Sequence, residues 1–122
     1  MTPVNVDNIR SQMRKGMLEY CVMLMLDVQP AFTPEIIDRM RRAHLIVVEG
    51  TLYPLLNRLK NAGLLAYQWQ ESTQGPPRKY YSLTDEGRIF LGHLRNAWNE
   101  MAHAVDVLSC NVLPAECSSP EE

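Results

Sequence analysis

Long apolar runs are missing from this chain. The most hydrophobic stretch, Met17 to Leu26, is interrupted by Glu19 and Tyr20 and falls short of the ~18 residues a membrane span needs. No membrane association is expected. The N-terminus has no apolar segment ahead of a small-residue cleavage site, which argues against a secretory signal and for a cytoplasmic protein. Cysteine is scarce. Cys21, Cys110 and Cys117 cannot all pair within one chain, form no C-x-x-C, and have none of His44, His93 or His103 at ligand spacing. That spacing matches no zinc site. Cys21, inside the apolar run, reads as a buried and inert thiol. No phosphate-cradling glycine loop and no nucleophile–base–orienter set is visible, so neither an enzyme nor a cofactor or metal is expected.

Positive charge is missing from one end. Residues 1–95 hold twelve Lys/Arg against nine Asp/Glu, a net +3, whereas residues 96–122 hold five acids and no base. Such asymmetry points to a basic working face in the first three-quarters and an acidic end directed elsewhere. What remains is ordinary: 122 residues and 46% hydrophobic content, enough for one modest core without disulfides or metals.

Periodicity divides the chain into four helices and a ribbon. From about Ile9 to Val28, Met17, Cys21, Leu24 and Val28 make one stripe with Leu18, Val22 and Met25 beside it, a face wide enough to be largely buried. Pro30 ends that helix. Thr33 as N-cap and Pro34 at the first helical position open a second helix to about Ala43, burying Ile36, Ile37 and Met40. A third helix begins at Glu49 or Gly50, with Pro54 near its start, and ends near Ala62 with Gly63 as its stop. It buries Leu52, Leu55, Leu56 and Leu59 and turns Thr51, Tyr53, Asn57, Arg58, Lys60 and Asn61 outward. Leu64–Ser72 and Arg78–Leu83 then read as a β-hairpin with a six-residue tip from Ser72 to Pro77. Thr84 caps the last helix, and Asp85 and Glu86 favour its first turn.

In that last helix Leu91, Leu94, Trp98, Met101, Val105, Leu108 and Val112 alternate at spacings of three and four. This is a seam for a second helix. Three helices and a hairpin already close one unit, so the seam predicts a homodimer. The fold class is therefore mainly α with a small β-hairpin, a winged helix-turn-helix plus a long C-terminal dimerisation helix. Its expected divisions are 9–83 for the winged helix-turn-helix, 84–112 for the dimerisation helix, and 113–122 for a polar tail.

Helix, helix, helix, ribbon is an order in which the third helix enters the major groove and the ribbon lies along the neighbouring backbone. The expected partner is double-stranded DNA with a two-fold operator. Thr51, Tyr53, Asn57, Arg58 and Lys60 supply donors on the reading helix, with Asn57 suited to adenine and the cations to guanine edges or phosphates. Arg78 and Lys79 flank a slim Gly75-Pro76-Pro77 tip. A rival reading is a winged-helix adaptor for proteins, with DNA affinity no stronger than that of a generic basic protein.

Glu49-Gly50-Thr51-Leu52-Tyr53-Pro54-Leu55-Leu56-Asn57-Arg58-Leu59 with Ala62-Gly63-Leu64 resembles the signature of the PadR family of transcriptional regulators. Gly75-Pro76-Pro77-Arg78-Lys79-Tyr80-Tyr81-Ser82-Leu83-Thr84-Asp85-Glu86-Gly87 resembles that family's wing, and Arg14-Lys15-Gly16-Met17-Leu18-Glu19 its opening, which adds Lys15 to the DNA contacts. Many members carry a Tyr-Gly-Tyr-like turn before the second helix, where this chain has Ala31-Phe32-Thr33-Pro34-Glu35. The resemblance spans roughly residues 12–108 and implies a homodimeric DNA-binding regulator, usually a repressor. One helix after the wing is similar to the small subfamily of the multidrug-responsive type. That likeness implies a planar small-molecule effector against Trp98, with Leu94 and Met101 as neighbouring walls. Trp98 is otherwise read as a plain core residue of the seam.

Overall fold

The computed structural model describes residues 5–45 and 47–110. Val112, Cys117 and the tail at 113–122 lie outside them. Helix α1 spans Val6–Val28 and starts earlier than periodicity implied, because Asn5 caps it. The Asn5 side chain accepts from the N–H groups of Asp7 at 2.9 Å and Asn8 at 3.3 Å. Its buried line is Leu18, Val22, Met23 and Leu26. The stripe expected to lead, Met17, Cys21, Leu24 and Val28, is only half-buried, and Val28 is 73% exposed. Burial pushes the Cys21 thiol up, which lowers its thiolate fraction and keeps it unreactive.

Ala31–Phe32, just past the break at Pro30, form a short strand, β1. Helix α2 (Thr33–Arg42) follows, with Phe32 at the cap position and Thr33 already helical and buried. Thr33 is therefore not the N-cap. Glu35 reaches back instead, accepting from the Phe32 N–H at 3.1 Å, which is one half of a capping box. Helix α3 covers Glu49–Asn61, and its four inward leucines are all buried. At roughly 2 kcal/mol for each fully buried leucine, they offset the defect at Pro54. That proline lies in the second turn, past the first-turn positions whose N–H groups are unpaired in any helix. The carbonyl of Gly50, four residues earlier, consequently loses its i+4 donor.

Strands β2 (Leu65–Ser72) and β3 (Gly75–Leu83) pair antiparallel. The sheet has three strands in the order β1-β3-β2, with Ala31 opposite Tyr81 and Phe32 opposite Tyr80. The expected six-residue tip shrinks to Thr73-Gln74, because Gly75-Pro76-Pro77 belong to β3. The register slips between Gln70 and Ser72, so that Pro76 and Pro77 together face Glu71. A bulge accommodates them, and β1 does not extend that far, so the prolines remove no ladder bond on that side.

Helix α4 runs Asp85–Ser109. Thr84 caps it as expected: its Oγ1 accepts from the Gly87 N–H at 2.9 Å and donates to the Gly63 carbonyl at 2.7 Å. A side chain at Gly87 would overlap the Leu64 carbonyl. The chain divides into two compact units, Met1–Leu91 and Gly92–Glu122. Leu91 is 2% exposed and belongs to the core of the first unit. It is consequently not open to a partner helix, although the seam pattern placed it first. In the second unit Met101, Val105 and Leu108 are exposed, Trp98 is 38% exposed, and Leu94 is half-buried.

Candidate nucleic-acid interface

Helix α3 carries its polar residues on the side opposite its leucines. At 3.6 residues per turn they separate into an apex and two flanks. Gly50, Pro54, Asn57 and Asn61 follow one another along the apex, all exposed. Thr51 and Arg58 share the flank toward α1. Tyr53 and Lys60 share the flank toward the hairpin. Gly50 and Asn61 join the apex through their four-and-three spacing with Asn57, a signal present in the sequence.

The α1 flank is held by an ion pair. Arg58 Nη2 lies 2.6 Å from Glu19 Oε2, linking α3 to α1. Arg58 remains 62% exposed on its side chain, so the contact orients it without enclosing it. Beside it, a cleft of about 420 Å³ is lined by Ser11, Arg14, Lys15, Leu18, Val47, Val48 and Thr51. Val48 caps α3 with no side-chain hydrogen bond. Two cations from α1 thus adjoin a helix N-terminus whose first N–H groups have no side-chain acceptor, an environment that favours phosphate oxygens. Lys15 is the cation expected there, and its neighbour Arg14 joins it.

On the other flank, Lys60 Nζ sits 5.4 Å from the centre of the Tyr67 ring on β2. Successive strand residues point to opposite faces, and the contacts follow that rule. Lys79 Nζ lies 4.2 Å from the Tyr67 ring centre, whereas the Arg78 guanidinium lies 4.6 Å from Phe32. The two wing cations therefore occupy opposite faces of the ribbon. Only the Lys79 face adjoins Lys60 of α3. Among the described residues no group of three or more His, Cys, Asp or Glu could hold a metal ion, and no helix is long and apolar enough to cross a membrane.

Residues 22–93 match the transcriptional regulator PadR-like family. A solved PadR-like transcription factor from Bacteroides fragilis is 62% identical, with a TM-score of 0.70 over 80% of this chain and 95% of that one. A PadR family transcriptional regulator from Eggerthella lenta is 31% identical, with a TM-score of 0.78 over 88% of this chain and 94% of that one. A transcriptional regulator of Mycobacterium tuberculosis is 42% identical over 59 residues, 48% of this chain and 54% of that protein.

Proposed function

Because the chain belongs to the PadR-like family of transcriptional regulators, we propose that it is a repressor that binds a two-fold operator as a homodimer. The observation that carries this reading is the division of α3: four leucines buried, and an exposed apex ending in Asn57 and Asn61 between two cation-bearing flanks. Asn57 at the apex reads base edges in the major groove, with Thr51 beside it. Tyr53, Arg58 and Lys60 on the flanks, with Lys15 of α1 and the wing cation Lys79, hold the backbone and set register.

Residues 9–83 act as the reading module and α4 as the pairing helix. The exposed line Trp98, Met101, Val105 and Leu108, with Leu94, supports pairing through α4, since its spacings of three and four suit a second helix. A planar effector held between two copies of Trp98, against Leu94 and Met101, would shift DNA affinity by preferring one separation of the two reading helices.

The test is salt-titrated binding and footprinting on the DNA upstream of the protein's own gene, against a scrambled duplex of equal length. The expected result is a two-fold footprint with half-sites about one helical turn apart and a preference on the order of a thousandfold. Equal affinity for both duplexes would overturn the reading in favour of a protein-interaction adaptor.

A further inference from the structure

Trp69 stands 63% exposed on β2, and the core does not explain it. The face of the ribbon that carries it begins at the base with Leu65, Tyr81 and Leu83, all buried. Moving outward, Tyr67 is half-buried and Trp69 lies open. The two rings meet edge-on, with centres 6.3 Å apart and planes at 86°. Lys79, directly opposite Trp69 in the register, holds its ammonium 5.8 Å from the Trp69 ring and 5.6 Å from Tyr81. With Lys60 beside Tyr67, the result is an aromatic ridge carrying two cations, leading away from the flank of α3.

A lone exposed indole needs no partner. An open indole stacked edge-on against a tyrosine that holds two ammonium groups, continuous with a reading helix, matches one chemistry closely. The duplex backbone alternates negative phosphates with the apolar faces of deoxyribose rings. Cation–π contact holds Lys79 in place beforehand, so little side-chain freedom is lost when a phosphate arrives.

We propose that Trp69 is a DNA-contact residue of the wing, its ring packed on deoxyribose while Lys79 and Lys60, inward of it along the ridge, take neighbouring phosphates, and that Arg78, on the opposite face, is not part of this contact. The inference rests on the DNA-binding reading above. Sugar and phosphate contacts carry no sequence information, so Trp69 adds affinity to every duplex alike.

Binding of the upstream duplex and a scrambled one is measured for the full chain and for Trp69→Ala, Lys79→Ala and Arg78→Ala, each across several salt concentrations. Trp69→Ala is expected to weaken both duplexes about tenfold, the scale of one aromatic contact to nucleic acid, with the salt slope unchanged. Lys79→Ala lowers the slope by about 0.9, one phosphate, and Arg78→Ala leaves it alone. Trp98→Phe makes Trp69 the sole tryptophan, and DNA should then shield its emission from iodide. The Trp69→Phe difference spectrum of the otherwise native chain gives the same reading independently. If the native chain binds its operator while Trp69→Ala keeps full affinity and Trp69 stays open to iodide, the wing proposal falls and the regulator reading stands. Specific binding absent from the native chain overturns both. Shielding of Trp69 by raised protein concentration without DNA would assign the ridge to a second copy and overturn the proposal.

Discussion

His44 and Gly63 occupy the same place in two successive helix endings. After α2, the Leu45 N–H donates to the Met40 carbonyl and the His44 N–H to that of Arg41. After α3, the Leu64 N–H donates to Leu59 and the Gly63 N–H to Lys60. Both are Schellman endings, which require a left-handed residue. Gly63 adopts φ +82° and His44 adopts φ +65°. Glycine has no Cβ to strain there, whereas histidine does. His44→Gly should raise stability by about 0.5–1 kcal/mol, and Gly63→Ala should lower it by about 1 kcal/mol, although a Cβ at Gly63 meets open space. Urea unfolding of the two variants checks both signs. A loss on His44→Gly would mean that the imidazole makes a contact worth more than its backbone strain.

Helix α3 depends on α1 for more than packing. Glu19 holds Arg58 at 2.6 Å across 39 residues of sequence, and a phosphate would have to compete with that carboxylate. An exposed ion pair is worth about 0.2–1 kcal/mol, so the competition is winnable. Glu19→Gln should tighten binding to any duplex by about threefold, within that range. Arg58→Ala should weaken all sequences alike. Fluorescence anisotropy with specific and scrambled duplexes distinguishes this from base reading, where the Arg58→Ala loss would appear on the operator alone. A Glu19→Gln variant that binds more weakly would show instead that Glu19 orients Arg58 productively.

For the whole molecule, the decisive question is what covers α4. Met101 is 58% exposed, Val105 62% and Leu108 82%, a line of large apolar side chains that water solvates poorly. Helix α1 leaves Val6, Ile9 and Met13 exposed as well, spaced by three and four. Leu94→Glu combined with Met101→Glu should give a monomer by sedimentation velocity and abolish operator binding, because two half-sites need two linked reading helices. An unchanged dimer would move the interface to the exposed line of α1. Trp98→Ala should weaken a planar cationic dye followed by fluorescence, with Trp69 as the constant background. Unaltered dye affinity would leave Trp98 as packing alone.

The elements that depend on neighbours a few residues away were legible in the sequence. The leucine spacing and Gly63 marked α3 nearly to the residue, and Thr84 with its two following acids marked the start of α4. The donors on the outer face of α3 followed from the same helical period. Everything that depends on pairing at long range was not. Strand β1 is two residues long and exists through hydrogen bonding to Tyr80 and Tyr81 of β3, so no local pattern announces it. The tip moved to Thr73-Gln74 because a bulge absorbed two prolines that read as turn chemistry. Arg78 and Lys79, adjacent in sequence, were read as one charge cluster, and the pleat put them on opposite faces. Leu91 fits the seam by spacing alone, yet it is buried in the first unit. Periodicity states which side of a helix is apolar; only the packed chain decides what meets it.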